Sequence, residues 1–378
     1  MLSHNYLAST ALLISSIVGV GMFTLPYISH QAGILTIIAY FIILGFLQHW
    51  LHSLYAEIIL STKQPHRLPG YAEKYIGKKA KKIVLILSLF SGYGALLAYT
   101  ILGGQFLYQL LNPLLGGSVI LYTIGLLVVR SVVMLFGLGW VTKAEIVLTG
   151  GLLGAMVVVS VLATGEGSIG NLVAFNSENI FLPYGPIFFA VSGLLAINDI
   201  CILMKNEKEK IASVLKTGMI IASAIMLLFT IAIASISGSL TSADALGGLK
   251  TFIDPVFYNI LLGVGLITVT TSFFIMAEAM EEMFIWDFQA KKLGAWLLIW
   301  SVPLFLLLLG AWDFTKVVAI TGALSGGLLG SLYLVLGLRV KKKAELPSPI
   351  KARLNPTIVF VLTLLFVVGL VYQLWEIF

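Results

Sequence analysis

The residues of this chain best placed for chemistry are glycines, hydroxyls and one acid, all set inside apolar runs. The stretch Ile17-Val18-Gly19-Val20-Gly21-Met22-Phe23-Thr24-Leu25-Pro26 interrupts a segment otherwise long enough to cross a bilayer. Each glycine weakens a helix by about 1 kcal/mol relative to alanine, and Pro26 cannot continue an earlier helix. The expected arrangement is a half-helix to about Ile17, an unwound Gly19-Val20-Gly21, and a second half-helix from about Met22. A broken helix survives in a membrane only where the freed backbone faces protein, a ligand or a water-filled cavity. A kinked helix packed through small residues is the plain alternative. A second interruption, at Ser192-Gly193, is followed by Asn198 and Asp199. Free N–H groups at the start of each second half-helix suit a carboxylate; unwound carbonyls suit an ammonium or a metal cation.

Two further groups could bind an ion. Asp199 lies six residues past Gly193, about 9 Å along a helix. A charge at that depth costs roughly 2.5–3.5 kcal/mol on insertion scales, so a proton carrier is expected there. Thr271 and Ser272, with the carbonyl of Val18, offer the hard oxygens that sodium needs. Hydroxyls in membrane helices more often bond back to their own backbone.

These positions need apolar helices to hold them, and the composition supplies them. Hydrophobic residues make up 59% of the 378 and charged residues 11%. No soluble core requires that share, so the chain reads as a polytopic membrane protein. The first segment lacks a basic leader and an A-x-A site, so it does not read as a cleaved signal peptide. One cysteine, Cys201, excludes an intrachain disulfide, and no metal-ligand spacing is present. No cofactor and no nucleic-acid partner is expected; the partners are the lipid bilayer, a small ligand and an ion.

Apolar runs place eleven spans near residues 6–28, 32–58, 83–111, 118–138, 144–163, 184–204, 213–236, 257–280, 294–311, 315–338 and 356–376. Basic residues collect in cytoplasmic connections. With the N-terminus inside, the connection after span 2 carries Lys63, Arg67, Lys74, Lys78, Lys79, Lys81 and Lys82. Inner connections also carry Lys205, Lys208, Lys210, Lys216 and the Arg339–Arg353 cluster, whereas Lys250 and Lys316 fall outside. The expected protein is one membrane domain, 1–378, in the cytoplasmic membrane, with its C-terminus outside.

Spans 1 and 6 run in opposite directions five spans apart. Interrupted helices at matching places in inverted halves point to a transporter binding site. The halves would be residues 6–163 and 184–338, with an extra helix at 356–376. A zwitterionic amino acid offers both the carboxylate and the ammonium that two such breaks would bind.

The motif Gly19-Val20-Gly21-Met22-Phe23-Thr24-Leu25-Pro26-Tyr27 with Gln31-Ala32-Gly33 resembles the first span of amino acid permeases. These belong to the amino acid/polyamine/organocation superfamily; the nearest families are the amino acid/auxin and the hydroxy- and aromatic-amino-acid permeases. Phe188-Phe189-Ala190-Val191-Ser192-Gly193 resembles their sixth span; Thr271-Ser272-Phe273 and Asp287 resemble the eighth span and the following loop. The resemblance implies an all-α fold: the five-plus-five inverted-repeat (LeuT-like) transporter with broken helices 1 and 6 and an eleventh helix. It implies substrate contacts at Ile17, Gly19, Val20, Gly21, Tyr99, Phe189, Ala190, Ser192 and Gly193. Many members have Pro-Glu where this chain has Asn198-Asp199.

Ser91, Ala95, Tyr99 and Gly103 share a face of span 3, and Tyr99 resembles the aromatic residue that lies against substrate in the family. Gly322, Gly326 and Gly330 read as a packing seam. Arg130 lies within snorkelling reach of the inner edge. Gly21→Val is expected to crowd a ligand while sparing the fold. The function expected is ion-coupled secondary transport, by proton or sodium, of neutral, hydrophobic or aromatic amino acids. A non-transporting sensor of the spore-germinant-receptor type is the alternative. An enzyme would need paired acids or a nucleophile with a base, and neither pattern occurs.

Overall fold

A computed structural model describes residues 3–64, 66–136 and 141–377, with side chains for all but 141–149, 286–287 and 377. The Asp287 side chain therefore lies outside the described residues. No strand occurs among the described residues. Each expected span is one helix or a broken helix. The first is α1 (His4–Ile17) and α2 (Leu25–Ala32), joined through a tight 3-10 turn at Val20–Thr24 and bent by 43°. Then follow α3 (Ile34–Leu60), the short surface helix α4 (Leu68–Tyr75), α5 (Lys78–Leu115), α6 (Val119–Leu135) and α7 (Val141–Glu166). The sixth span is α8 (Tyr184–Ala190) and α9 (Ala196–Leu203). The rest are α10 (Ile211–Ser237), α11 (Pro255–Phe288), α12 (Lys292–Leu308), α13 (Phe314–Leu324) with α14 (Gly330–Lys343), and α15 (Pro356–Ile377).

Local chemistry sets the boundaries around the breaks. The Ser3 hydroxyl caps α1 by accepting from the Tyr6 N–H at 3.2 Å. Pro26 occupies the second position of α2, where its missing N–H costs nothing. Gly33 ends α2 at φ +90°, where a side chain would also strike the Phe175 backbone. The tenth span differs from the continuous helix expected: Ser325–Leu329 forms a π-turn between α13 and α14. Such a turn widens the ladder and often marks a functional wall.

Close helix packing fixes span 6 against span 10. A Cβ on Gly322 would lie 1.9 Å from the Gly185 carbonyl oxygen, and one on Gly326 2.7 Å from the Phe188 ring. Gly330 packs on Phe366 of α15. The three glycines are the expected seam, letting backbones approach where lipid gives no hydrophobic drive.

Arg130 departs from expectation. It is 1% exposed and does not snorkel. Its guanidinium donates to the Tyr99 carbonyl (3.0 Å) and the Thr270 hydroxyl (2.7 Å), and stands 5.0 Å from the Phe273 ring centroid. Gly103 makes room for it: a Cβ there would meet the guanidinium at 2.6 Å. Span 4 thus ties spans 3 and 8 together at the level of Tyr99.

Gly322→Ala should lower the thermal midpoint in detergent by the equivalent of about 1–3 kcal/mol, since its methyl group meets backbone. Gly263→Ala, with open space around its Cβ, should leave the midpoint unchanged or slightly raised.

Candidate functional site

The two breaks meet. A Cβ on Gly21 would lie 2.7 Å from the Ala190 Cα and 2.9 Å from the Phe189 ring. One on Gly193 would lie 2.8 Å from Ile17. Each break is thus seated on the other span. In the first break, Met22 donates to the Gly19 carbonyl at 3.2 Å, so the N–H groups of Gly19, Val20 and Gly21 open the turn without a partner inside it. In the second, Ala196 donates to the Gly193 carbonyl and Ile197 to the Leu194 carbonyl. The Leu194 and Leu195 N–H groups begin the next half-helix. The Gly193 N–H is taken: it donates to Nε2 of His52 on α3 at 3.1 Å.

A cavity of about 210 Å³ lies against both breaks. Ile17, Gly19, Val20 and Gly21 form one wall, and Phe189, Ala190, Ser192, Leu194 and Leu195 another. Tyr99, Ala95 and Ser91 line it from α5, and Met276, Met280 and Met283 from α11. Tyr55 and Tyr333 stand edge-to-face at 5.1 Å, and Asn198 donates to the Tyr55 hydroxyl at 3.3 Å. Ser91 and Ser325, the latter opening the π-turn, share a hydrogen bond of 2.6 Å. The walls are aromatic and thioether groups, which are polarisable and adaptable.

The cavity runs from the breaks toward the face that carries Arg67, Leu68 and Pro69. Arg67 pairs there with Glu282 of α11 at 2.7 Å. Burial alone would lower the Arg67 guanidinium, but the Glu282 carboxylate beside it outweighs this and holds it above the usual arginine value. On the other side of the breaks, Phe23 packs edge-on against Phe106 (5.2 Å) and Phe229 (5.9 Å). Phe23 is 1% exposed, so this aromatic plug is closed to solvent.

Of the expected substrate contacts, all but Gly193 line the cavity; Gly193 lies behind the wall, against Ile17 and His52. Ser272 flanks Gly19, its Oγ 3.7 Å from where a Cβ would be. The Thr271 hydroxyl donates to the Thr268 carbonyl at 2.9 Å, and its oxygen keeps lone pairs. The Asp199 side chain lies on the helix surface and does not line the cavity, and its charge acts on Arg67 near the cavity mouth. The break ends five residues after Ala190, so α9 is short and Asp199 sits in its first turn. Gly21 is a contact residue as well as a lining one, which corrects the expectation for Gly21→Val: the added bulk would push on Ala190 backbone and strain the fold.

Sequence reasoning missed Tyr55, Tyr333, His52 and the methionines. Met276, Met280 and Met283 recur at helical spacing on one face of span 8, a signal that was available. Tyr55, Tyr333 and His52 come from α3 and α14, and nothing in their own segments marks them.

Comparison with known proteins agrees with this geometry. The profile of the tryptophan/tyrosine permease family matches residues 2–373. A stretch of 103 residues is 29% identical to vacuolar amino acid transporter 2 of Saccharomyces cerevisiae. It makes up 27% of this chain and spans about a fifth (21%) of that curated relative. In shape the chain is similar to Mhp1, a nucleobase-cation-symport-1 family transporter, closed with bromovinylhydantoin bound (TM-score 0.67, 15% identity, 98% of this chain, 90% of that one). It is similar to the inward facing conformation of Mhp1 (TM-score 0.70, 13% identity, 98% and 90%). MhsT in complex with L-phenylalanine is another such structure (TM-score 0.63, 13% identity, 98% of each chain). At these identities the likeness shows the fold: the five-plus-five inverted repeat of the LeuT type, with broken helices 1 and 6 and an eleventh helix.

Gly19 and Gly21 should separate in a mutational test. Gly19→Ala has room and should keep the wild-type thermal midpoint while weakening binding of an aromatic amino acid at least tenfold. Gly21→Ala should lower the midpoint itself, because its methyl meets the Ala190 backbone. Thermal unfolding with and without amino acid reads both effects.

Proposed function

The chain belongs to the tryptophan/tyrosine permease family, and from that premise we propose that it is a secondary active transporter of neutral, hydrophobic or aromatic amino acids, working by ion-coupled alternating access. It is a multi-pass membrane transporter of amino acids, not an enzyme. The finer reading rests on one observation above all: two broken helices seat against each other and present free N–H groups to a cavity walled by aromatic and methionine side chains. The N–H groups of Gly19, Val20 and Gly21, and of Leu194 and Leu195, would hold the carboxylate. Unwound carbonyls would take the ammonium, and Tyr99, Phe189 and Met276 would pack on the side chain. A volume of about 210 Å³ is below the roughly 300–1,000 Å³ of drug-sized sites, as an amino acid requires. The cation at the mouth, Arg67, is engaged by Glu282, which favours a neutral side chain.

The distribution of basic residues supports a cytoplasmic N-terminus and cavity mouth, with the C-terminus outside and the chain in the cytoplasmic membrane. The repeats at 6–163 and 184–338 would rock around the breaks, shifting closure from the Phe23 plug to the Arg67 side. Two ion routes are compatible with the geometry. A proton could ride on Asp199, whose charge faces Arg67 at the mouth. Sodium could sit between the Val18 carbonyl and the Thr271 and Ser272 hydroxyls, beside the first break.

Tryptophan uptake into proteoliposomes tests the reading. A pH gradient without sodium, or a sodium gradient at equal pH, should drive accumulation; saturable binding with no uptake under either would instead favour a sensor. Under proton coupling through Asp199, Asp199→Asn should lose pH-driven uptake and keep exchange. Under sodium coupling, Thr271→Ala or Ser272→Ala should weaken sodium dependence several-fold, with Asp199→Asn without effect on the driving ion.

A further inference from the structure

We propose that His52 is the group at which proton binding and substrate binding are linked, through its hydrogen bond to the backbone of the span-6 break. The proposal rests on the transporter reading above. His52 is fully buried on α3, and its Nε2 accepts from the Gly193 N–H at 3.1 Å. An imidazole that accepts at Nε2 carries its proton on Nδ1. That Nδ1 has no partner among the described residues. One turn earlier on the same face lies Gln48, also fully buried, and neither of its amide atoms has a partner. Buried polar groups are almost always satisfied, so unmet donors and acceptors directly behind a functional break mark a place built for a second bonding arrangement.

Proton addition supplies that arrangement. The incoming proton binds Nε2, so the ring can no longer accept from Gly193. The Gly193 N–H is released and joins those of Leu194 and Leu195 facing the cavity, where Ser192 and Leu194 already line the wall. The Nδ1 proton can then turn to the Gln48 amide oxygen. A buried imidazolium is costly unless an anion accompanies it. Among the described residues, no acid hydrogen-bonds His52, and His49 stands one turn away on the same helix. The elements packed against α3 carry Lys216 on α10, Asp199 and Cys201 on α9, Tyr184 on α8, Tyr27 and His30 on α2, and Tyr333, Arg339 and Lys341–Lys343 on α14. On α3 itself, Glu57 is turned to the Ala352 N–H and Tyr55 to Tyr333. The missing counter-charge is the carboxylate of the substrate, held at the break in front of the ring. Proton and carboxylate each lower the cost of binding the other, and the effect is reciprocal. The proton enters from cavity water and returns to water on the other side once the substrate has left.

The experiment uses the full-length purified protein with tryptophan as probe. Wild type should take up about one proton per tryptophan bound, read with a pH indicator in weak buffer, and its affinity should fall as pH rises, by up to about tenfold per unit. His52→Gln keeps an acceptor for Gly193 but cannot ionise. It should keep the thermal midpoint, bind tryptophan with a pH-independent affinity, take up no proton, and retain exchange while losing pH-driven accumulation. Proton uptake by His52→Gln equal to wild type overturns the proposal, as does wild-type binding that is independent of pH. If His52→Gln does not fold, Asp199→Asn decides: retained proton uptake supports His52, and lost uptake assigns the proton to Asp199 and overturns it. Failure of wild type to bind any aromatic amino acid at any pH overturns the transporter reading, and this proposal with it.

Discussion

The structure depends on the demand that no backbone polar group be left bare in an apolar medium. Breaking two helices frees several such groups, each costing several kcal/mol if exposed to hydrocarbon. The molecule meets this by seating the breaks on each other, with Gly21 against Ala190 and Gly193 against Ile17. What remains unpaired is turned into one cavity. The surrounding helices read as the frame that keeps this contact in register. Gly322 brings span 10 onto the Gly185 carbonyl, and Arg130 locks the Tyr99 carbonyl to Thr270 across three spans.

The two ends of the cavity are bounded by different physics. Beyond the breaks, Phe23, Phe106 and Phe229 pack as buried edge-to-face rings, each pair worth about 0.5–1.5 kcal/mol beyond the area it buries. Nearer that face, Gln109 links Asp244 and Tyr258 across the loop that follows α10. At the other end stands one partly exposed ion pair, Arg67 with Glu282, of a kind worth only about 0–1 kcal/mol. A rocking motion has to separate the rings while closing the breaks' other side, and the π-turn at Ser325–Leu329 gives span 10 a weak point beside the cavity.

A buried histidine behind the break changes how the site is viewed. The front of the break is backbone, and backbone cannot change its charge. His52 gives that backbone a titratable partner that no acid among the described residues hydrogen-bonds. Asp199 lies on the second half of the same span, and its charge acts with that of Glu282 on Arg67. Charge at the mouth and charge behind the break are separate devices, one on the helix surface and one on a buried ring.

Sequence alone determined the class, the spans and the two interruptions, because these are local properties. A bilayer needs about 20 apolar residues per helix, and glycines two apart near a proline weaken a helix wherever it sits. The seam of Gly322, Gly326 and Gly330 was legible for the same reason: its period of four is a property of one helix. Tertiary structure alone decided what each residue touches. Gly19 and Gly21 look alike in the chain, yet a side chain at one would meet only Ser272 at ordinary contact distance while the other abuts Ala190. Arg130 looked able to reach the surface, but Gly103 gives it a pocket where its two terminal nitrogens donate to Tyr99 and Thr270. Asp199 looked set on the site by residue count, but its side chain lies outside the cavity lining, in the first turn of α9. His52 carries no mark in its own segment; its role follows from meeting Gly193 across 141 positions of chain, a contact that only packing creates.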